Sequence, residues 1–469
     1  MVLNLKKSYI SYLFIFVLLF SVSEMVAQET AFDGTLSGAE GYEIRLSTTD
    51  DYISNRTVIL YETWVDSAGY FLLTADHKEI RKVFIETGFY KLEMFALPGD
   101  HYQFFCDTVS LKNEYRPLYN LGYLPCSLIS GDTSGLNEKI NHFDRLYNEF
   151  VYETFSGYYQ RRDLRVIYAF EKKTDSIFGS PEDDFFGIYR KYKLASLKLS
   201  IAPTRKAKLF QEYLNDQEIR YNHPEFMNFF TSLFDRHLTG NNRFIQRYEL
   251  KEMINQPVAY DALIDSLGKD TLLRNEKIRE LVLMMTFKEL YYQPDLYAPN
   301  ILNYLNYISE QSKFALHRRI AENLIFVLTR LQNGFPAPGF TLPDLYGDTV
   351  RLHDFLGKPV YIGFMNTLSF ASLGEFEYMD SLFVKYQNQI HFITISFDFN
   401  REVISKFKDE KNYNWTFLYN GNRYGITEKY DLKTLPLFVL IDGNGNILQF
   451  PARKPSENVS ASLERLIDQ

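Results

Sequence analysis

The chain has 469 residues, 46% of them hydrophobic, with 40 Phe and 35 Tyr and a formal net charge of −8. That length exceeds one ordinary core and points to two or three domains of roughly 100–200 residues each. The apolar content excludes a disordered chain, and an acidic balance without any basic cluster excludes a nucleic-acid footprint.

At the amino end, Lys6 and Lys7 precede the apolar run Tyr12 to Val22 and the small-residue ending MVAQ. These are the parts of a secretory leader over residues 1–27, with cleavage expected between Ala27 and Gln28. The competing reading, an uncleaved anchor, suffers because the run falls short of the ~20 residues that a spanning helix needs. No later stretch is long and apolar enough to cross a bilayer. The expectation is an exported protein of the periplasm or cell envelope with no transmembrane span in its mature form. The two cysteines, Cys106 and Cys126, then lie in a compartment where disulfides persist, and their spacing leaves open a bridge or two buried free thiols.

Residues 28–110 alternate apolar and polar letters in short runs, among them TVILYET, YFLLTA, KVFIET and HYQFFC, separated by turns such as Asp66-Ser67-Ala68-Gly69. Short strands at this spacing predict an antiparallel β-sandwich domain. Over residues 111–332 the period becomes helical: Ile140, Phe143, Tyr147 and Phe150 form one stripe, and Ile278, Leu281, Val282 and Met285 another. A third helix is expected from Phe314 to Leu331, ended by Asn333-Gly334 and by Pro336 and Pro338. Such stripes are core surfaces, and no chemistry is legible in this helical domain. No HExxH, CxxC, GxxxxGK[ST] or GxSxG motif and no internal repeat occurs, so neither a metal nor a cofactor is expected.

Residues 333–469 alternate strand and helix patterns. A hairpin around Gly347-Asp348 leads to the apolar strand PVYIGFM, the helix SFASLGEFEYMDSLFVKYQNQ, the strand HFITISFD and the helix NREVISKFKDEKN. WTFLYN, the loop KTLP, LFVLID, the turn GNGN, ILQF and a closing helix from Ser456 complete an α/β domain whose sheet is covered on both faces.

The line GFPAPGFTLPDLYGDTVRLHDFLGKPVYIGF, followed by a helix with an early glutamate and then YDLKTLPLFVLIDGNGNI, resembles the TlpA/ResA-type thioredoxin-like family, which is related to AhpC/TSA peroxiredoxins. The turn letters VDSAGYF and LPGDHYQFF of the first region look like the β-sandwich that often precedes such a domain. In that family an F-W-x-x-W-C-x-x-C segment carries the redox pair. By this resemblance Phe364 matches the leading Phe, Met365 and Leu368 replace the tryptophans, and Ser369 and Ser372 occupy the cysteine positions. Glu375 matches the family's acidic residue and Pro436 its cis-proline, so Leu368, Phe370, Glu375, Leu435 and Pro436 are the groove that the resemblance implies.

A serine hydroxyl stays un-ionised at neutral pH and forms no reversible S–S bond, so SxxS in place of CxxC removes disulfide exchange. Peroxidase chemistry, which needs a cysteine in this same segment, fails with it. A nucleophilic Ser369 needs a histidine base, and nothing in the spacing directs His353 or His391 toward it. Ser369 and Ser372 read instead as caps of the helix that follows, and Glu375 as a structural carboxylate. The function expected is a redox-inactive module that holds a polypeptide or an envelope protein complex. The alternative is a TlpA-like oxidoreductase whose activity persists or has moved to Cys106 and Cys126.

Overall fold

The computed structural model describes residues 27–88, 90–109, 122–155, 160–201, 205–240, 242–398, 400–421, 423 and 425–467. The leader expected over residues 1–27 lies outside the described residues except for Ala27.

The first region consists of β1 (Gln28–Thr35), β2 (Glu43–Thr49), β3 (Thr57–Trp64), β4 (Tyr70–His77), β5 (Arg81–Thr87), β6 (Tyr90–Ala96), β7 (His101–Cys106), β8 (Gly122–Tyr123) and β9 (Cys126–Ser130). They form two sheets, ordered β4-β1-β7-β9 and β3-β2-β5-β6-β8. Alternation decides what each strand buries: Phe71 and Leu73 of β4 and Tyr102 and Phe104 of β7 join Ile44 and Leu46 of β2 and Val83 and Ile85 of β5 in one core. The turn before β4 is tight because Asp66 Oδ1 accepts from the Ala68 and Tyr70 amides at 2.8 Å and Gly69 takes φ 78°.

Two features depart from the expected purely antiparallel domain ending at 110. The pairs β1–β7 and β6–β8 are parallel, which the long intervening chain permits. Strands also continue to Ser130, because β9 pairs antiparallel with β7 and sets Cys126 opposite Cys106.

Ten α-helices follow among the described residues: α1 (Leu136–Phe155), α2 (Leu164–Phe178), α3 (Phe185–Ile201), α4 (Lys206–Tyr213), α5 (Pro224–Leu233), α6 (Arg247–Asn255), α7 (Tyr260–Leu267), α8 (Glu276–Leu290), α9 (Ala298–Gln311) and α10 (Ala315–Thr329). The two stripes seen in the sequence lie on α1 and α8. Ile140, Phe143 and Phe150 of α1 are buried in one cluster and Ile278, Leu281 and Val282 of α8 in another. The β2–β3 loop docks into this second core. Ile53 is buried there, Lys288 Nζ donates to the Ile53 and Ser54 carbonyls at 2.8 and 3.1 Å, and Asn323 Nδ2 donates to Asp50 and Asp51. Arg319 also pairs with Asp50.

The last region contains β10 (Thr341–Pro343), β11 (Thr349–Arg351), β12 (Val360–Met365), α11 (Phe370–Tyr386), β13 (His391–Ser396), α12 (Arg401–Lys411), β14 (Thr416–Tyr419), α13 (Gly425–Lys429), β15 (Leu437–Ile441), β16 (Ile447–Gln449) and α14 (Ser460–Ile467). β10 and β11 form the hairpin around Gly347. The main sheet runs β14-β13-β12-β15-β16, parallel through β14, β13 and β12 and antiparallel at β15 and β16. β12 is buried throughout because it faces two cores: Val360, Ile362 and Phe364 enter one, Tyr361 and Met365 the other. Gly363 interrupts the second row because the Phe438 ring lies 2.7 Å from where its Cβ would stand. Contact with the first region passes through buried Arg45, whose Nε donates to Glu86 at 2.9 Å and Nη1 to Glu428 of α13 at 2.7 Å.

Candidate functional site

The chain leaves β12 at Met365 and enters α11 at Phe370, at the carboxyl end of the parallel strands, where open α/β sheets place their sites. Ser369 is the N-cap of α11: its φ of −95° and ψ of 119° are extended, and its Oγ accepts from the Ser372 amide at 3.4 Å. The Ser369 amide in turn donates to Asn366 Oδ1 at 3.0 Å. Ser372 is 0% exposed, and its Oγ accepts from the Asn366 amide at 3.5 Å. Ser369 thus caps α11, whereas the Ser372 hydroxyl, inside the first turn of the helix, accepts from the turn that precedes it.

A network that the sequence did not disclose holds this turn from below. Buried Asp398, just past β13, accepts from the Thr367 amide at 2.9 Å and from Ser396 Oγ at 2.7 Å, and Thr367 Oγ1 donates to the same carboxylate. Its own amide donates to Ser396 Oγ at 3.1 Å. The available signal was the acid ending the apolar run HFITISFD, which places a carboxylate at the same sheet end as the turn.

Pro436 follows a cis peptide bond from Leu435. The pairing of β15 with β12 sets Leu437 opposite Phe364, so the Leu435-Pro436 turn stands beside the start of the 366–372 turn. Pro436 is buried and Leu435 half-buried. On the other side Leu368 is 52% exposed and Phe370 91% exposed. Leu368, Phe370, Leu435 and Pro436 thus lie at one end of the sheet. Glu375 does not line a groove: it is 7% exposed, and its carboxylate accepts from the Ser456 amide at 3.0 Å and Ser456 Oγ at 2.6 Å. The inner face of α11 turns it toward the segment before α14, where it acts as a structural carboxylate. Burial first, and then the Glu375 and Glu457 charges, push the Tyr361 phenol upward, and that hydroxyl donates to the Arg453 carbonyl at 2.7 Å.

No histidine reaches Ser369. His391 pairs with Val360 at the opposite end of β12, five residue steps or ~16 Å from Met365. The turn carrying His353 lies at that far end as well, since the Phe355 ring is 5.4 Å from the His391 ring. A Ser–His hydrolase site is therefore not assembled here.

Cys106 and Cys126 are joined in a disulfide, and both are buried between β7 and β9 in the first region's core. Of the two states left open by their spacing, the bridge is the one present. Among the described residues no group of three or more His, Cys, Asp or Glu is placed to hold a metal, and no helix is long and apolar enough to cross a membrane.

Residues 334–450 match the model of the AhpC/TSA family. Thiol-disulfide oxidoreductase ResA of Bacillus thuringiensis subsp. konkukian is 30% identical over 122 residues, 26% of this chain and 69% of that relative. ResA of Geobacillus kaustophilus is 26% identical over 154 residues, 32% of this chain and 88% of the relative. Among solved structures, the thioredoxin domain of a thiol-disulfide oxidoreductase from Bacteroides vulgatus is 22% identical with a TM-score of 0.27, covering 29% of this chain and 99% of the other.

Proposed function

Since the chain belongs, through its carboxy-terminal domain, to the AhpC/TSA family and is related there to ResA-type thiol-disulfide oxidoreductases, we propose that this member has kept the family's frame and lost its redox chemistry. It acts as a non-catalytic polypeptide-binding module of the cell envelope. The observation that carries this reading is the state of Ser369 and Ser372: the first caps α11 and the second accepts from the Asn366 amide, while Leu368 and Phe370 beside them face solvent. Neither hydroxyl has a base to activate it, whereas two exposed apolar side chains beside a cis-proline turn are suited to an extended chain. Export is part of the proposal and rests on Lys6, Lys7 and the apolar run that follows them. The expected β-sandwich is also kept as the description of the first region, supported by two sheets that share one core. The alternative, activity relocated to Cys106 and Cys126, finds no support in a buried bridge outside this domain.

The test is binding of a reduced, alkylated and permanently unfolded polypeptide, followed by fluorescence anisotropy. Saturable binding is expected, about tenfold weaker in Phe370→Ala, as befits removal of a central aromatic anchor. Binding unaffected by Phe370→Ala and by Pro436→Gly together would remove the groove from the proposal.

A further inference from the structure

A cavity lies away from the serines, where all three regions meet. It has a volume of about 580 Å³ and is walled by edge strand β3, the carboxyl end of α10, the segment entering the last domain, and α13. That size falls within the ~300–1,000 Å³ of small-molecule sites, which favour domain junctions. Its apolar wall is made by Val58, Ile59, Phe326, Phe335, Pro336 and Pro338. Phe326 and Ile59 remain 43% and 38% exposed, and Arg56 alone is seated over the Phe326 ring among the cation–ring contacts of this wall. Gly339 and Gly425 also line it, and a Cβ at either would meet nothing within 4 Å. The wall is therefore bare on that side.

The charges at its edge are unequal. Arg56, Arg330 and Lys429 face one carboxylate, Glu428, which already accepts from Arg45 at 2.7 Å. Arg56 lies over the Phe326 ring at 4.1 Å and donates through Nη1 to Asn323 Oδ1 at 2.8 Å, using one of its five donors. Lys429 Nζ donates to the Gly339 carbonyl at 3.1 Å, one of three protons. An apolar wall that shares its cavity with an excess of cations complements a hydrocarbon body with an anionic end. We propose that this junction binds an aliphatic carboxylate of medium chain length, with the chain against Phe326 and Ile59 and the carboxylate at Arg330 and Arg56.

The probe is decanoate, titrated into the chain below its micellar concentration and followed by calorimetry, with decanol as the uncharged counterpart. Saturable binding at one site is expected, with decanol at least tenfold weaker. Arg330→Gln is expected to weaken decanoate about tenfold by removing a charged hydrogen-bond donor. Gly339→Trp, which fills the open space beside the wall, is expected to abolish binding while leaving the thermal transition in place. Absence of saturable binding, equal affinity for decanol, or undiminished binding in both variants would overturn the assignment.

Discussion

Asp398→Ala tests whether the polar network beneath the 366–372 turn organises the site. The substitution strips one acceptor from the Thr367 amide, the Thr367 hydroxyl and the Ser396 hydroxyl. A hydrogen bond to a charged group contributes ~1.5–3 kcal/mol, and a buried donor left without a partner costs a similar amount. Thr367 is half-buried, so water replaces part of what it loses, whereas Ser396 is 0% exposed and receives no such relief. The sum is about 3 kcal/mol for Ala and roughly half of that for Asn, which keeps one acceptor. The assay is urea denaturation read by Trp415 fluorescence in a Trp64→Phe background. The chain has two tryptophans, and Trp415 is buried in the last domain, where its Nε1 donates to Thr394 Oγ1 at 2.9 Å. A single reporter isolates this domain's transition from those of the other two regions. A loss below about 0.5 kcal/mol, the range of ordinary surface substitutions, would refute the view that Asp398 holds the turn.

Two further outcomes are expected. His223 is buried at the start of α5, with Nε2 on the Phe185 carbonyl at 3.1 Å and Nδ1 accepting from the Phe226 amide. Burial, reinforced by Arg220 and partly opposed by the Phe185 carbonyl, lowers its pKa to about 4. Between about pH 6.5 and 4 the unfolded chain takes up a proton that the folded chain refuses, so stability is lost as pH drops through that window and is level above it. The effect reaches ~3 kcal/mol at the acid end, and pH-dependent melts of His223→Asn, which keeps a capping acceptor, should lack it. Replacing both Cys106 and Cys126 by serine is expected to destabilise the first region by about 3 kcal/mol, the loop-entropy value for a separation of 20 residues. Denaturation of that variant beside reductant-treated wild type checks it, and equal midpoints with untreated wild type would contradict it.

The carboxy-terminal domain was legible because its strands are continuous apolar runs and its turns carry position-specific residues. PVYIGFM could only be a strand buried on both faces, and the hairpin before it and the TLP loop after it located Ser369, Ser372 and Pro436 in one neighbourhood. Glu375 was assigned to the groove, yet its carboxylate is buried against Ser456, because i to i+3 spacing from Ser372 does not tell which face of α11 is inward. Asp398 escaped because a lone acid after an apolar strand looks like a turn residue until the fold sets it under Thr367. In the first region, alternation reveals strands but not their direction, so the parallel β1–β7 pairing was not visible. β8 has two residues and β9 exposes four of its five, so neither carries the buried pattern that would have extended the sheet past residue 110. The loop from Asp50 to Arg56 carries mostly polar letters and no periodic pattern, yet Ile53 within it joins the core of the helical region.

The central claim is that an oxidoreductase frame persists here without its chemistry, and reduction of insulin disulfides in the presence of dithiothreitol addresses it most directly. Wild type should show no rate above the dithiothreitol background, while the double variant Ser369→Cys, Ser372→Cys should reduce insulin readily, its first thiol lying at the N-terminus of α11, where helix ends favour the thiolate. Wild-type turnover at a rate typical of thioredoxins would contradict the account.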